Sequence, residues 1–301
     1  MRSAILFAAI CLSAHWLAAA DPHTGHTFQT PAGSIYYEPL GTAAGVPLVV
    51  ANGGPGFDHS YLHLSDVWET LAKSRKVILY DQRGVGKSSA LTKDESCTLR
   101  DQIDDLEALR REIGAEKIDL AGHSWGGYLV MAYAARYPEH IRHLIISDAA
   151  APKFSDTLFL FKDVFPEGVE RQDALDFADQ MGDKSAHEKS LREYFAMLFY
   201  SPEKRDAALA KLEGGENVRV NETIEHDLEH FDLNPELAKY RFPALVMTGR
   251  FDMNVAPLVA YKIHKAIPGS EFVVFDRSGH LPFYEEPEKF VQVVETFLAK
   301  P

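Results

Sequence analysis

Short apolar runs recur along the chain and predict a set of buried strands. β-Branched and other apolar residues dominate six of them: "VPLVVANGG", "KVILYDQRG", "KIDLAGH", "RHLIISDAA", "PALVMTG" and "EFVVFD". Continuous apolar runs of this kind suit the strands of a parallel sheet that is covered on both faces. Ahead of them, "HTFQT" and "SIYYEPL" flank a Pro-Ala-Gly turn, which predicts an opening β hairpin.

Stretches with helical spacing separate most of these runs. One helix is clear because Thr98 and Asp101 form a capping-box pattern ahead of apolar residues that share one face, at Leu99, Ile103, Leu106, Leu109 and Ile113. Another helix closes the chain after Pro287, with Phe290, Val294 and Phe297 on one face. This alternation predicts a doubly wound α/β domain with a mostly parallel sheet.

The alternation stops between residues 152 and 240. This stretch is rich in aromatic and charged residues, as in "FSDTLFLFKDVF" and "LREYFAMLFY", and it has helical spacing with no convincing strand. It predicts a helical cap that is inserted between two strands of the sheet and covers the strand ends. The α/β core is therefore expected to comprise residues 21–151 and 241–301.

The first twenty residues have a composition of their own. Arg2 precedes the apolar run "AILFAAICLSAHWLAAA", which ends in three alanines before Asp21. This layout is typical of a secretory signal peptide over residues 1–20, and it predicts export to the periplasm or the medium, with no stable membrane association after cleavage. A transmembrane anchor is the alternative, but the run is short for a bilayer. The mature chain would keep only Cys97, so no internal disulfide could form.

The main chemical signal is a serine between two glycines. In "DLAGHSWGGYLV", Ser124 lies in a G-x-S-x-G motif with Gly122 and Gly126. The motif alone occurs by chance in roughly one chain of this length in ten. Here it follows a predicted strand and opens a predicted helix, which is the setting of a nucleophile elbow. The small neighbours permit the tight backbone turn that presents the hydroxyl.

A serine nucleophile needs a histidine base that is held by a carboxylate. Among the 13 histidines, His280 stands out because "EFVVFDRSGHLPF" places it directly after the last predicted strand. Asp252, in "ALVMTGRFDMNVAP", follows the preceding strand, and such loops gather at one edge of the sheet. The chain order Ser124, Asp252, His280 is that of α/β hydrolases. Asp148, after "HLIIS", is a rival acid.

A glycine-rich loop predicts hydrogen-bond donors for a developing oxyanion. The segment "VVANGGPGFDHS" follows a strand and has glycines at 53, 54 and 56, so its backbone can approach a substrate closely. The backbone N–H groups of Gly54 and Trp125 are the expected pair. An ordinary Gly-Pro turn is the alternative interpretation.

Together, "NGGPG", "DQRGVGKSS", "GHSWGG", "GRFDMNVAP" and "SGHLPF" resemble the proline iminopeptidase branch of the α/β-hydrolase superfamily. The resemblance covers about residues 30–150 and 240–299. It implies a serine hydrolase that removes an N-terminal residue, often proline, from short peptides beneath a helical cap. Residue by residue, it implies a catalytic triad of Ser124, Asp252 and His280, with Gly54 and Trp125 as oxyanion donors.

The resemblance is weaker where the substrate would bind. Asn52 replaces the usual histidine of an "HGGPG" opening, which changes a side chain but removes no backbone donor. Members of this branch bind the free amine with cap glutamates, because a buried ammonium needs carboxylate partners. The segment "NVRVNETIEHDLEHFD" resembles that region of some members, so Glu222 is the first candidate and Glu203, in "YSPEK", the second. A merely solvated acidic helix face is the alternative.

Two other functions are compatible with the sequence. An esterase or lactonase would keep the triad and lack the amine site, since the fold hosts many chemistries. A non-catalytic ligand-binding protein would usually have lost a triad member, and none is missing here. Either enzyme would act on a small-molecule or short-peptide substrate with no cofactor and no metal. The net charge of −13, from 31 basic and 44 acidic residues, argues against a nucleic-acid partner.

Overall fold

The computed structural model describes residues 24–92, 95–212 and 215–301. The predicted signal peptide, residues 1–20, lies outside these ranges, so its presence and its cleavage stay predictions. Within the described ranges, none of the helices combines the length and the apolar character needed to cross a membrane.

One sheet of eight strands lies at the centre of the described structure. In chain order the strands are β1 (His26–Thr30), β2 (Gly33–Leu40), β3 (Leu48–Ala51), β4 (Val77–Tyr80), β5 (Ile118–His123), β6 (Ile141–Ser147), β7 (Ala244–Gly249) and β8 (Glu271–Phe275). They lie side by side in the order β1-β2-β4-β3-β5-β6-β7-β8. The β1–β2 and β2–β4 pairs are antiparallel, and β3 to β8 run parallel to one another.

Helices connect most of the strands. In chain order they are α1 (Val67–Leu71), α2 (Leu99–Glu112), α3 (Trp125–Arg136), α4 (Phe161–Val164), α5 (Pro166–Gln180), α6 (Lys184–Ala196), α7 (Pro202–Leu209), α8 (Val218–Leu228), α9 (Asn234–Leu237), α10 (Pro257–Ala266), α11 (Pro282–Glu285) and α12 (Pro287–Leu298). Short 3₁₀ helices span His59–Leu64, Pro138–His140 and Phe154–Asp156. Helices α4 to α9 lie between β6 and β7 in the chain, within the stretch where a cap is expected.

Apolar side chains cover both faces of the central strands, which explains why these strands have no polar face. Every residue of β3, β4, β5 and β7 is buried. Helices α2, α3 and α10 contribute to the core on one face, as at Leu129 and Ile263. Helices α1 and α12 pack on the other, as at Leu71 and Phe290. The predicted doubly wound α/β fold with a mostly parallel sheet is therefore confirmed.

Two local features fix the positions of helices α2 and α3. Thr98 Oγ1 accepts from Asp101 N–H at 3.3 Å and the Asp101 carboxylate accepts from Thr98 N–H at 2.9 Å, so the predicted capping box starts α2. Helix α3 lies close against the sheet. A Cβ added at Gly126 would be 2.2 Å from the Ala51 carbonyl oxygen, so this approach requires glycine.

A buried carboxylate joins the inserted helices to the core. Glu285, at the end of α11, accepts from the backbone N–H groups of Tyr200 at 3.0 Å, Ser201 at 2.8 Å and Gly279 at 2.6 Å. Tyr200 and Ser201 precede α7, and Gly279 precedes His280. The inserted segment and the His280 loop are therefore held by the same side chain.

Candidate active site

Ser124 lies at the sharp turn between β5 and α3. Its backbone has φ +56° and ψ −122°, a conformation that costs a residue with a side chain about 1–3 kcal/mol. Two hydrogen bonds hold the turn, from Ser124 N–H to the Ser147 carbonyl and from Gly127 N–H to the Ser124 carbonyl, each at 2.9 Å. A Cβ at Gly122 would lie 2.2 Å from the Gly126 carbonyl oxygen. The strained turn, with glycine on both sides, is the elbow geometry that the motif predicts.

His280 and Asp252 come from the loops after β8 and β7 and form a buried pair. Asp252 Oδ2 lies 2.7 Å from His280 Nδ1. The other carboxylate oxygen, Oδ1, accepts from the N–H groups of Asn254 and Val255, each at 2.9 Å. Because Asp252 presents an acceptor to Nδ1, the ring proton belongs on Nδ1 and Nε2 can accept a proton.

Asp148, the rival acid, lies beside Asp252 but does not hydrogen-bond to His280. Its Oδ1 accepts from Gly249 N–H at 2.8 Å and its Oδ2 from the Ser147 hydroxyl at 2.7 Å. Burial, together with the nearby Asp252 carboxylate, raises the pKa of Asp148 well above its ordinary value. Two adjacent buried charges are costly, so this arrangement favours a neutral Asp148.

Ser124 and His280 are not joined by a hydrogen bond in this structure. Among the described residues, the Ser124 hydroxyl has no partner, and His280 Nε2 lies 3.2 Å from Asn254 Nδ2. Asn254 also contacts the Tyr194 hydroxyl at 3.1 Å. Hydrogen bonds between nucleophile and base are often long until substrate binds. Asn254 therefore competes with Ser124 for the lone pair of Nε2.

His123, directly before the serine, links the glycine-rich loop to His280. Gly53 N–H donates to the Tyr61 hydroxyl at 2.5 Å. The Tyr61 hydroxyl donates in turn to His123 Nδ1 at 2.8 Å. His123 Nε2 donates in turn to the His280 carbonyl at 2.7 Å. Burial lowers the pKa of His123 to about 3, so the ring is neutral and offers one acceptor and one donor. Sequence reasoning missed this role because the motif leaves the position unspecified.

The "NGGPG" loop holds its backbone next to Ser124. A Cβ at Gly53 would lie 3.1 Å from the Ser124 Cβ, and Gly54 has φ +127°, which strains any residue with a side chain. Asn52 secures the loop by donating from Nδ2 to the carbonyls of Gly53 at 3.0 Å and Phe57 at 2.7 Å. Asparagine thus has a defined structural role at the position where the resemblance expects histidine.

Gln82 connects this loop to the start of α3. Its Nε2 donates to the Asn52 carbonyl at 2.8 Å, and its Oε1 accepts from Trp125 Nε1 at 2.7 Å. Gly54, Trp125 and Ser124 line the same cavity. The backbone N–H groups of Gly54 and Trp125 have no hydrogen-bond partner among the described residues. Both are therefore available to an oxygen atom bound beside the serine.

The cavity next to Ser124 has a volume of about 490 Å³ and an acidic wall. Five carboxylates line it, from Asp176, Asp179, Glu216, Glu222 and Glu225, and no lysine or arginine is among its described lining residues. Apolar surface comes from Phe57, Phe154, Phe159, Leu191 and Tyr194. Of the two predicted amine-binding glutamates, Glu222 lies on this wall. Glu203 is exposed on α7 and is not part of the lining.

Glu216 lies next to the glycine-rich loop. It forms an antiparallel bridge with Phe57, and Asn217 N–H donates to the Gly56 carbonyl at 2.8 Å. Burial, followed by the charges of neighbouring carboxylates, raises the pKa of Glu216 to about 7. The hydrogen bond from Asn221 Nδ2, at 2.9 Å, opposes this shift. Sequence reasoning missed Glu216 because a bridge to a residue so far along the chain leaves no local pattern.

The fold and this site define the class of protein. Residues 46–287 match the family model described as alpha/beta hydrolase fold, and the chain belongs to the α/β-hydrolase family and is a serine hydrolase. A hydrolase of the α/β fold family from Bacillus anthracis superimposes with a TM-score of 0.77 at 26% identity, covering 91% of this chain and 99% of that one.

Within this family, relatives that match in sequence include proline iminopeptidases. The proline iminopeptidase of Clostridium botulinum is 32% identical over 281 residues, which cover 88% of this chain and 94% of that protein. The proline iminopeptidase of Lactobacillus delbrueckii subsp. bulgaricus is 30% identical over 269 residues, which cover 84% of this chain and 89% of that protein. The resemblance inferred from the motifs is therefore confirmed.

Proposed function

We propose that Ser124, Asp252 and His280 form the catalytic triad of an aminopeptidase that releases N-terminal proline or a similar residue from short peptides. Ser124 Oγ attacks the scissile carbonyl carbon while His280 Nε2 takes the hydroxyl proton. The N–H groups of Gly54 and Trp125 stabilise the oxyanion. The His280 proton then passes to the leaving amine, and water hydrolyses the acyl-enzyme by the same path in reverse.

The acidic wall of the Ser124 cavity carries the aminopeptidase part of this proposal. In an N-terminal residue, the ammonium lies only a few ångströms from the scissile carbonyl, so both must occupy one cavity. A partly desolvated cation there needs carboxylate partners. Glu216 and Glu222 line this cavity together with Ser124, and an enzyme for neutral esters has no need of such a wall.

A matched pair of substrates tests the amine site. We compare kcat/KM for a prolyl arylamide and its N-acetyl form, alongside other aminoacyl arylamides, short-chain aryl esters and lactones. The acetyl group removes the charge and leaves the scissile bond unchanged. We expect the free-amine substrate to be preferred by roughly 100-fold, as for a desolvated ion pair. A preference for esters or lactones over all aminoacyl substrates would instead favour the esterase or lactonase function.

Glutamine variants identify the carboxylates that bind the ammonium. Glu216→Gln and Glu222→Gln should each lower kcat/KM for the prolyl arylamide, by roughly 30- to 1000-fold for the main partner, or about 2–4 kcal/mol. Neither should affect a small neutral ester. Glu203→Gln, on the exposed surface of α7, is the matched control and should change neither substrate. Equal losses on both substrates would place the amine site elsewhere.

The nucleophile itself is tested by Ser124→Ala. We expect hydrolysis of every substrate to fall by several orders of magnitude while the circular dichroism spectrum and the melting temperature are retained. An irreversible serine-reactive probe should label the wild type at Ser124. Wild-type turnover in the folded variant would refute the mechanism.

We also propose that the chain is exported after removal of residues 1–20. The support is the layout of the N-terminal sequence, with an apolar run that ends in three alanines. N-terminal sequencing of the protein recovered from the producing cells and their medium should begin at Asp21. Recovery of the unprocessed chain in the cytoplasm alone would contradict export.

A further inference from the structure

Three potential metal ligands converge outside the catalytic cavity. Glu38 in β2 and two residues of the 3₁₀ helix, His59 and His63, each present a ligand atom within 4.8 Å of the other two. Glu38 Oε2 lies 3.3 Å from His59 Nε2 and 3.6 Å from His63 Nε2. In a tetrahedral zinc site with bonds of about 2.1 Å, neighbouring ligand atoms lie about 3.4 Å apart. The two separations therefore already have the spacing of a metal-bound set.

The other nitrogen of each imidazole faces a second carboxylate. Asp81 Oδ1 lies 2.6 Å from His59 Nδ1, and Glu69 Oε1 lies 3.2 Å from His63 Nδ1. Metal-binding histidines commonly donate their remaining ring N–H to a carboxylate, which orients the ring and makes the binding nitrogen more basic. Both rings thus have the supporting contacts expected around a metal.

Hydrogen bonds hold the cluster in place, and solvent can reach it. Asp81 also accepts from the backbone N–H groups of His59 at 3.1 Å and Lys87 at 2.7 Å, so its position is fixed. Glu38 and His59 are buried, whereas the His63 side chain is 25% exposed. The cluster opens onto a cavity of about 900 Å³ whose lining shares no residue with the Ser124 cavity. A water molecule can therefore reach a fourth coordination position.

We propose that Glu38, His59 and His63 bind a divalent transition-metal ion, with Zn²⁺ as the best match, at a site separate from the catalytic cavity. Two imidazole nitrogens and one carboxylate oxygen form a ligand set that zinc accepts. The ion would connect β2 to the 3₁₀ helix that directly follows the "NGGPG" loop, so its effect is on stability. The expectation of a metal-free hydrolytic mechanism is unchanged.

Calorimetric titration of Zn²⁺ into chelator-treated, tag-free protein tests the site. The titration is run near pH 8.5 to limit competition by protons for the imidazole nitrogens. We expect one ion per chain and a melting temperature that rises with Zn²⁺ concentration. Co²⁺ should give the intense visible absorption of a four-coordinate site.

Two variants and one control locate the ion. His63→Gln removes a ligand and should weaken Zn²⁺ binding at least about 100-fold, whereas Glu69→Gln removes the negative charge that faces His63 Nδ1 and should weaken it about 10- to 100-fold. Glu69→Gln decides the question if His63→Gln fails to fold. His226→Gln combined with His230→Gln removes an exposed histidine pair whose rings lie 5.7 Å apart, and it should leave the affinity unchanged.

Three results would overturn the proposal. The first is no Zn²⁺ binding by the wild type, which would make the cluster an ion-pair network only. The second is unchanged affinity in folded His63→Gln or, if that variant does not fold, in Glu69→Gln. The third is loss of binding in the control variant.

Discussion

Replacing Asp252 with asparagine tests which carboxylate serves His280. Asp252 Oδ1 accepts from two backbone N–H groups, and Oδ2 faces His280 Nδ1 at 2.7 Å. An asparagine can satisfy the two backbone donors only with its single oxygen, so its amide nitrogen must face His280. A donor there selects the tautomer with the proton on Nε2, which cannot accept the proton of Ser124.

The expected magnitude follows from this tautomer change. We expect Asp252→Asn to lower kcat by roughly 10⁴, which corresponds to about 5.5 kcal/mol in the activation barrier. Asp148→Asn is the matched control, because it makes the same isosteric change beside the same pair. The raised pKa of Asp148 favours a neutral carboxyl, and an amide keeps the acceptor for Gly249 N–H. We therefore expect Asp148→Asn to lower kcat less than about tenfold.

Initial rates with the best arylamide substrate provide the assay. Circular dichroism and thermal melting establish that each variant is folded, and titration with the serine-reactive probe gives the concentration of competent sites. A folded Asp148→Asn variant that loses more activity than Asp252→Asn would refute the assignment. So would an Asp252→Asn variant that retains more than about a tenth of wild-type kcat.

Three further outcomes are expected. Below about pH 7, kcat/KM for an aminoacyl arylamide should fall more steeply than kcat/KM for a neutral ester. Burial raises the pKa of Glu216 to about 7, so this carboxylate loses its charge as the pH falls below that value. Glu216→Gln should make the two pH profiles coincide. Gly126→Ala should lower the free energy of unfolding in urea by about 1–3 kcal/mol, since the new Cβ would lie 2.2 Å from the Ala51 carbonyl oxygen, and an unchanged midpoint would contradict this packing. Burial raises the pKa of the Cys97 thiol to about 11, so a thiol reagent should modify it only on unfolding; rapid labelling of the native protein would show that it is accessible.

Local patterns in the sequence were sufficient to predict the elements and the elbow. The apolar runs predicted the strands because a strand covered on both faces has no polar positions. Thr98 and Asp101 predicted the start of α2, since a capping box involves residues only three positions apart. Gly122 predicted a strained turn for the same reason, since a Cβ there would lie 2.2 Å from the Gly126 carbonyl oxygen, only four positions along the chain.

Contacts between distant segments were decided only by the tertiary structure. Asp148 and Asp252 both follow strands of the sheet, and only side-chain packing determines which carboxylate faces His280. Glu216 reaches the Ser124 cavity through a bridge to Phe57, and Glu38 meets the 3₁₀ helix because β2 pairs with β4. Periodicity reports which face of an element is buried, but it contains no information about which other element covers that face. The side chains that surround the serine are therefore set by strand order and packing.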